Sequence, residues 1–239
     1  MDDDAAMSYV VGVDGCSGGW IAASRRATEA AVCCRRIKTL EDLFADTVTP
    51  RVVAVDVPIG LLERGARDCD VAARRRLGPR RSSVFTAPLR SMLVATSQEE
   101  ASRVRHRIEG KRVSIQAWAI VPKILEVDCL LRDNPTRRET IREVHPELSF
   151  FFLNGERPMS ESKKKPLGRA ERVSLLRTWC GEAIDQTLAK RASLQCEADD
   201  IVDAFVALWT AERIRRAEAV SVPSIPPLDA HGLRMEMVA

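Results

Sequence analysis

Apolar positions in this chain fall first into short unbroken runs and later into long stretches of helical period. "SYVVGVD" (Ser8 to Asp14) is a run closed by an acid and followed by the small residues Gly15 to Gly19, which predicts a buried strand leading into a turn. "WIAASRR" and "AAVCCRRI" follow at hairpin spacing around "ATEA", so three strands in an antiparallel meander are expected. "TLEDLFADT" opens with a capping box, Thr39 to Asp42, and reads as a helix. "RVVAVDVPIGL" (Arg51 to Leu61) is a second buried run, rich in β-branched residues. It reaches Asp56 and is stopped by Pro58 and Gly60.

From Arg67 the period lengthens. "RDCDVAARRRLG" is helical with Gly78 as its C-cap, and "SQEEASRVRHRIEG" starts on a capping box at Ser97 and Glu100. "QAWAIVPKILEVDCLLRD" is helical, with Pro122 expected to kink it or to lie in its first turn. "TIREVHPELSFFF" (Thr140 to Phe152) reads as a strand interrupted by Pro146. "GRAERVSLLRTWCGEAI" and "EADDIVDAFVALWTAERIRRAEA" read as long amphipathic helices, and the proline-rich stretch from Val220 as extended or loosely packed. Hairpins first and crossovers later predict an α/β domain. Its mixed five-stranded sheet has three antiparallel strands followed by parallel ones, with flanking helices. Strands one to four are expected between Val10 and Val57 and the fifth over Arg142 to Phe151. The domain spans 8–216 with a helical insertion at about 62–135, and 217–239 forms an extended C-terminal tail.

Composition narrows the class. A chain of 239 residues can bury one full core, and it contains no apolar stretch of membrane-spanning length. "MDDDAAM" lacks the basic and apolar regions of a signal peptide. Seven cysteines, scattered and without a C-x-x-C, argue against a disulfide framework and a structural zinc site, so a cytoplasmic location is expected. The net charge of +3 is modest, but its base is concentrated. Arg67, Arg74, Arg75, Arg76, Arg80, Arg81 and Arg90 crowd one segment, and Lys163, Lys164, Lys165, Arg169 and Arg172 another. In "GPRRSSVFTAP", Arg80, Arg81, Ser82 and Ser83 suit a phosphate backbone. So do Lys164, Lys165, Arg169 and Arg172 around a helix start. A solvated surface explains either segment equally well.

The candidate chemistry lies in the acids. Asp14 and Asp56 sit at the ends of apolar strands, where ligand sites of open sheets collect. Asp200 and Asp203 are three apart on one helix face, which Ala204 and Ala207 continue with small residues. Singly, each acid has an ordinary explanation as a turn or cap residue. Converging on a packed face, they would carry buried charge that a divalent cation relieves. A set of carboxylates without His or Cys suits Mg²⁺ or Mn²⁺, and two such ions ~3.5–4 Å apart hydrolyse phosphodiesters. "REVHPELSF" places Glu143, His145 and Glu147 at alternate positions, hence on one strand face. There either glutamate is a candidate further ligand and His145 a group orienting water or phosphate; a polar sheet edge is the plainer explanation. Cys16 reads as a small turn residue rather than a nucleophile. Neither a G-x-x-x-x-G-K-[ST] loop nor a G-x-S-x-G elbow occurs.

The blocks "VVGVDGCSGGW", "VAVDVPIGL", "CDVAARRRLGPRRSSVFTAP", "SIQAWAIVPKILEVD", "REVHPELSF", "KKKPLGRAERVSLL" and "ADDIVDAFVALWTA" run in order from Val10 to Arg213. In that order they resemble the domain-of-unknown-function 429 family, whose members are predicted nucleases with a ribonuclease H-like fold. More distantly the chain resembles Holliday-junction resolvases of that superfamily. There an Asp ends the first strand, an acid the fourth, and a D-x-x-D pair opens the last helix. Asp14, Asp56, Asp200 and Asp203 occupy those places, with Asp56 where the resolvases usually carry Glu. The resemblance implies a metal-dependent nuclease using Mg²⁺ or Mn²⁺ on DNA or RNA, with no membrane partner and with a homodimer allowed. Two other classes compete with it. One is a non-catalytic module binding nucleic acid or protein. The other is an actin-like or sugar-kinase-like nucleotide-binding protein, which needs two facing copies of the fold where this chain holds one.

Overall fold

The computed structural model describes residues 8–239. Its main sheet has five strands in the order β3-β2-β1-β4-β5. These are β1 (Tyr9–Cys16), β2 (Gly19–Arg26), β3 (Cys33–Ile37), β4 (Val52–Val55) and β5 (Ile141–Glu143). β1 is central, antiparallel to β2 with Val13 opposite Ala22, and parallel to β4 with Val13 opposite Val55. β2 and β3 are antiparallel, and β4 and β5 parallel. The expected mixed sheet has formed, with its two acid-bearing strands as neighbours.

β1 continues two residues past Asp14 to Cys16, and the hairpin turns on Ser17 and Gly18, where φ is +68°. Asp14 lies in the ladder opposite Ile21. The turn therefore does not account for an acid at this position.

Between β4 and β5 the chain forms α1 (Asp68–Leu77), α2 (Gln98–Glu109), α3 (Ile115–Ala119) and α4 (Val121–Asp133), with Pro122 in the first turn of α4. After β5 come α5 (Pro146–Leu153), α6 (Pro166–Cys180), α7 (Ala183–Ala189), the single turn α8 (Arg191–Leu194) and α9 (Ala198–Arg215). The helix expected after Thr39 is a 3₁₀ segment, Leu40–Phe44.

The fifth strand is three residues long, not ten, because Pro146 begins a helix instead of interrupting a strand. At the first helical position its missing N–H and fixed φ are no handicap. Residues 146–151 are all buried, so no polar face shows the helical period. Glu143, His145 and Glu147 therefore do not share a strand face. Glu143 ends β5, His145 is the N-cap of α5 and Glu147 lies in its first turn.

The C-terminal segment is extended but not loose. β6 (Ser221–Val222) pairs with β7 (Met237–Val238), and Met235, Met237 and Ala239 pack with Leu77, Val84 and Leu148. The Asp229 carboxylate accepts from the Leu61 and Leu233 amides at 3.0 and 2.9 Å and pairs with Arg90, stitching this segment to the end of β4.

Each face of the sheet carries a core. Val11, Val13, Trp20, Val53 and Val55 meet Ile124, Val127 and Leu131 of α4. Val10, Ile21, Ala23 and Ala54 meet Ile201, Ala204, Phe205 and Leu208 of α9. α9 is buried almost all round, since β1, β2 and β4 cover one side and α5, α6 and α7 the other. Its closeness to the sheet depends on Gly12. A Cβ there would stand 1.9 Å from the Leu208 nitrogen and 2.3 Å from the Ala204 carbonyl oxygen, so the helix backbone rests directly on the strand. Among the described residues no helix is long and apolar enough to cross a membrane.

Candidate metal centre

Gly12 and Asp14 are two apart on β1 and point to the same face. With Ala204 to Leu208 seated over Gly12, the preceding turn of α9 brings Asp200 and Asp203 towards Asp14. Asp56 follows β4 directly, and its amide donates to the Val13 carbonyl at 3.0 Å. Three elements thus bring together the four acids that the sequence singled out.

Asp203 is 1 % exposed; its Oδ2 pairs with the Lys163 ammonium, while its Oδ1 is buried without any hydrogen-bond partner. Asp14 and Asp56 are half-buried, and among the described residues no side chain or amide donates to either carboxylate. Asp200 is half-buried and accepts from the Glu197 amide at 2.9 Å at the start of α9. Burial, and then the charges of Asp203 and Asp56, hold the Asp14 carboxyl well above the usual carboxylate range. Burial followed by the Asp203 charge pushes Asp56 up to about 8. Asp200 and Asp203 are also raised, burial being the first cause for each. Lys163 opposes this charge, and Asp203 raises its ammonium above the ordinary lysine range. A second cation crosses the hairpin. Lys123 lies 4.2 Å from the centre of the Trp20 ring and donates to the Gly19 carbonyl, and a Cβ on Gly15 would stand 2.6 Å from its Cδ.

Hard oxygen donors in excess over local cations, with one buried oxygen unsatisfied, fit Mg²⁺ or Mn²⁺. The acids of β1, β4 and α9 stand wider apart than the tightest ligand cluster among the described residues, Cys69, Asp70 and Glu143, whose ligand atoms lie within 4.8 Å of one another. That tighter cluster does not fit a metal, because a guanidinium already fills it. Arg67 donates to Asp70 at 2.6 Å and to both oxygens of Glu143 at 2.7 and 2.8 Å. Burial also keeps the Cys69 thiol well above the usual range, hence protonated. The Ile59 amide donates to Glu143 as well, at 2.6 Å, and burial raises Glu143 to about 7 against the pull of Arg67.

A cavity of about 510 Å³ opens beside the acids, with Asp56, Asp203 and Lys163 in its wall together with Arg80, Ser82, Ser83, Phe85, Ile120, His145 and Lys164. Burial pushes His145 down to about 4, so its imidazole is neutral, and its Nδ1 is buried without a partner. Of the basic residues expected at a substrate, Lys164 and Arg80 line this cavity, although Arg80 also donates to Glu147 at 2.9 Å. Arg81 lies in a separate depression with Arg74 and Arg75. Lys165 pairs with Glu161 at 2.7 Å and Arg169 with Asp199 at 2.9 Å. Arg172 is buried and faces Glu147 at 2.7 Å and the Gly168 and Glu161 carbonyls at 2.7 and 3.0 Å. Glu147, itself in the cavity wall, is thereby clamped between two guanidiniums, one on each oxygen.

Lys163, Arg67, Phe85 and Gly12 were not singled out for a site by sequence. Nothing distinguishes the first of three consecutive lysines until the loop before α6 is folded. Arg67 reads as one more surface arginine. For Gly12 a signal existed: a glycine inside an apolar strand marks a close backbone approach.

A mixed five-stranded sheet, with one acid inside the central strand, one just past its parallel neighbour and two more on the helix laid across them, defines an α/β protein with an acidic cleft. Residues 12–227 match the family model described as "Protein of unknown function (DUF429)", and the chain belongs to that family. No curated protein and no solved structure matches it.

Proposed function

We propose that this protein is a metal-dependent nuclease of the ribonuclease H-like type. The observation that carries the reading is Asp203: a buried acid whose Oδ1 has no partner, on a helix that also brings its charge to Asp14 and Asp56. Lys163 satisfies only the other oxygen of Asp203, and a buried carboxylate oxygen left without a partner is costly unless a cation or donor completes it. The strand order supports the same reading. Asp14, Asp56 and Asp203 would hold Mg²⁺ or Mn²⁺, with Asp200 beside them. Such ions would supply activation of a water and charge stabilisation at the leaving oxygen of a phosphodiester. The remaining roles belong to the chain. Lys163 offsets part of the acid charge and so lets a polyanion approach. Ser82, Ser83 and Lys164 offer hydroxyls and an ammonium to phosphate oxygens from the cavity wall. His145, held neutral by burial, adds no further charge to the cavity.

The test is hydrolysis of single-stranded, double-stranded, hybrid and branched polynucleotides with Mn²⁺. Cleavage that EDTA and Asp14→Asn both abolish, with the circular dichroism spectrum unchanged, is the expected result. Cleavage that persists in folded Asp14→Asn overturns the assignment of the centre. Tight binding without cleavage of any substrate returns the protein to the class of binding modules.

A further inference from the structure

Phe85 is 56 % exposed, yet its segment is not loose. Val84, Ala87 and Leu89 on either side are buried. The Val84 carbonyl accepts from Arg74 at 2.8 Å, and the Ala87 amide donates to the buried Asp70 carboxylate at 3.1 Å. The Arg67–Asp70–Glu143 cluster thus pins a loop that holds one large aromatic ring out of the core. A single exposed phenylalanine is ordinary on a protein surface. This one stands in the wall of the same cavity as Asp56 and Asp203, with Ser82, Ser83 and Lys164 beside it and Ile120 as a second apolar wall. A volume of about 510 Å³ falls in the range of single-ligand sites, ~300–1,000 Å³. An apolar ring, hydroxyls, an ammonium and a metal-competent acid pair in one space of that size match the parts of one nucleotide: base, sugar-phosphate and scissile phosphodiester.

We infer that the cleft takes an unpaired nucleotide, whose base stacks on Phe85 while its phosphate lies towards Ser82, Ser83 and the acids. This inference rests on the nuclease reading and narrows its substrate class to unstacked or single-stranded nucleic acid, since a base paired inside a duplex has no free face for the ring. Phe85 is a specificity-determining residue in this scheme and takes no part in bond breaking.

The experiment is binding with Ca²⁺ in place of Mn²⁺, read by 2-aminopurine fluorescence. It compares a single-stranded oligonucleotide carrying the probe, the same strand in duplex, and the free 2-aminopurine nucleoside monophosphate. Wild-type protein should quench the probe in the single strand and bind it more tightly than the duplex. Phe85→Ala should abolish the quench and weaken single-strand binding by roughly 5- to 150-fold, the equivalent of one stacked base. Phe85→Trp should restore both, and duplex affinity should change by less than about twofold, since phosphate contacts dominate it. A matching quench with the free nucleotide identifies a mononucleotide as sufficient ligand; a quench seen only in the strand identifies the polynucleotide, and either outcome supports the inference. Unchanged single-strand binding in Phe85→Ala, or equal losses for single strand and duplex, overturns it. Hydrolysis by the wild-type protein is scored separately, so stacking without cleavage sinks only the nuclease reading, and cleavage indifferent to Phe85 sinks only this one.

Discussion

Two clusters of acids, one buried and one half-buried around Asp203, lie close together, near enough for the Glu143 charge to act on Asp56. In one, Asp70 and Glu143 enclose the Arg67 guanidinium, and each carboxylate also takes a backbone amide. In the other, among the described residues, Lys163 is the one ion-pair partner of Asp14, Asp56, Asp200 and Asp203, and it reaches only Asp203. The contrast separates two uses of buried charge. The first cluster joins the loop after β4, β5, α1 and the Phe85 loop, and each of its carboxylate oxygens already has a donor. The unbalanced one is incomplete, and incompleteness at a cleft is what a binding site requires.

The largest effect should come from unbalancing the complete cluster. Arg67→Met leaves two buried carboxylates uncompensated and should destabilise the fold by about 3–5 kcal/mol in urea unfolding. A change below about 1 kcal/mol would mean that the cluster is as loosely balanced as its neighbour. Next is the response to metal. Mg²⁺ at a hundredfold excess over its Kd should stabilise the wild-type protein by about 2.7 kcal/mol. Asp14→Asn should lose that response and, in EDTA at a pH high enough to ionise the raised Asp14 carboxyl, melt above the wild type because one repelling charge is gone. A variant that melts lower in EDTA would place Asp14 among the structural acids.

A pH series sharpens the contrast further. Asp56 stays protonated up to about 8 in the fold but ionises near the ordinary value of 3.8 once unfolded. Between those values the folded state binds the extra proton, so this residue's contribution to stability falls as pH rises from about 4 to about 8 and is level above. In EDTA, the melting-temperature advantage of Asp56→Asn over the wild type should therefore widen steadily across that window. A constant difference would show that the carboxyl is not raised. The smallest effect belongs to a pair outside both clusters. Arg169→Ala breaks an exposed contact with Asp199 and should cost less than about 1 kcal/mol, with the metal response intact.

The acids of the unbalanced cluster were legible because strand ends and a three-residue helical spacing are properties of sequence. The apolar runs likewise predicted β1 to β4 and their order. What escaped depended on burial and on partners. Residues 146–151 are buried on every side, so neither period marks them, and only Pro146 hinted at a helix start. Arg67 and Arg172 looked like solvent-facing base, whereas each lies in the core holding a glutamate. A guanidinium's location follows from which carboxylates the topology sends to meet it, and that is fixed by crossovers tens of residues long. Glu143 and Glu147 were misplaced for the same reason, as candidates for a metal that arginines replace.

Gly12 gives the centre an unusual kind of vulnerability. The distance from strand to helix there equals the thickness of two backbones, so Gly12→Ala inserts a methyl where none fits and the α9 backbone must lift or tilt. The acids near the start of α9 would move with it, while every ionisable side chain stayed in the sequence. Displacements of about 1 Å at reacting groups can lower rates by a hundredfold. A mutational scan scored on activity would then rank an inert glycine beside Asp14 and Asp203. Inheritance of the centre in related chains would have to be traced through this missing side chain as much as through the acids.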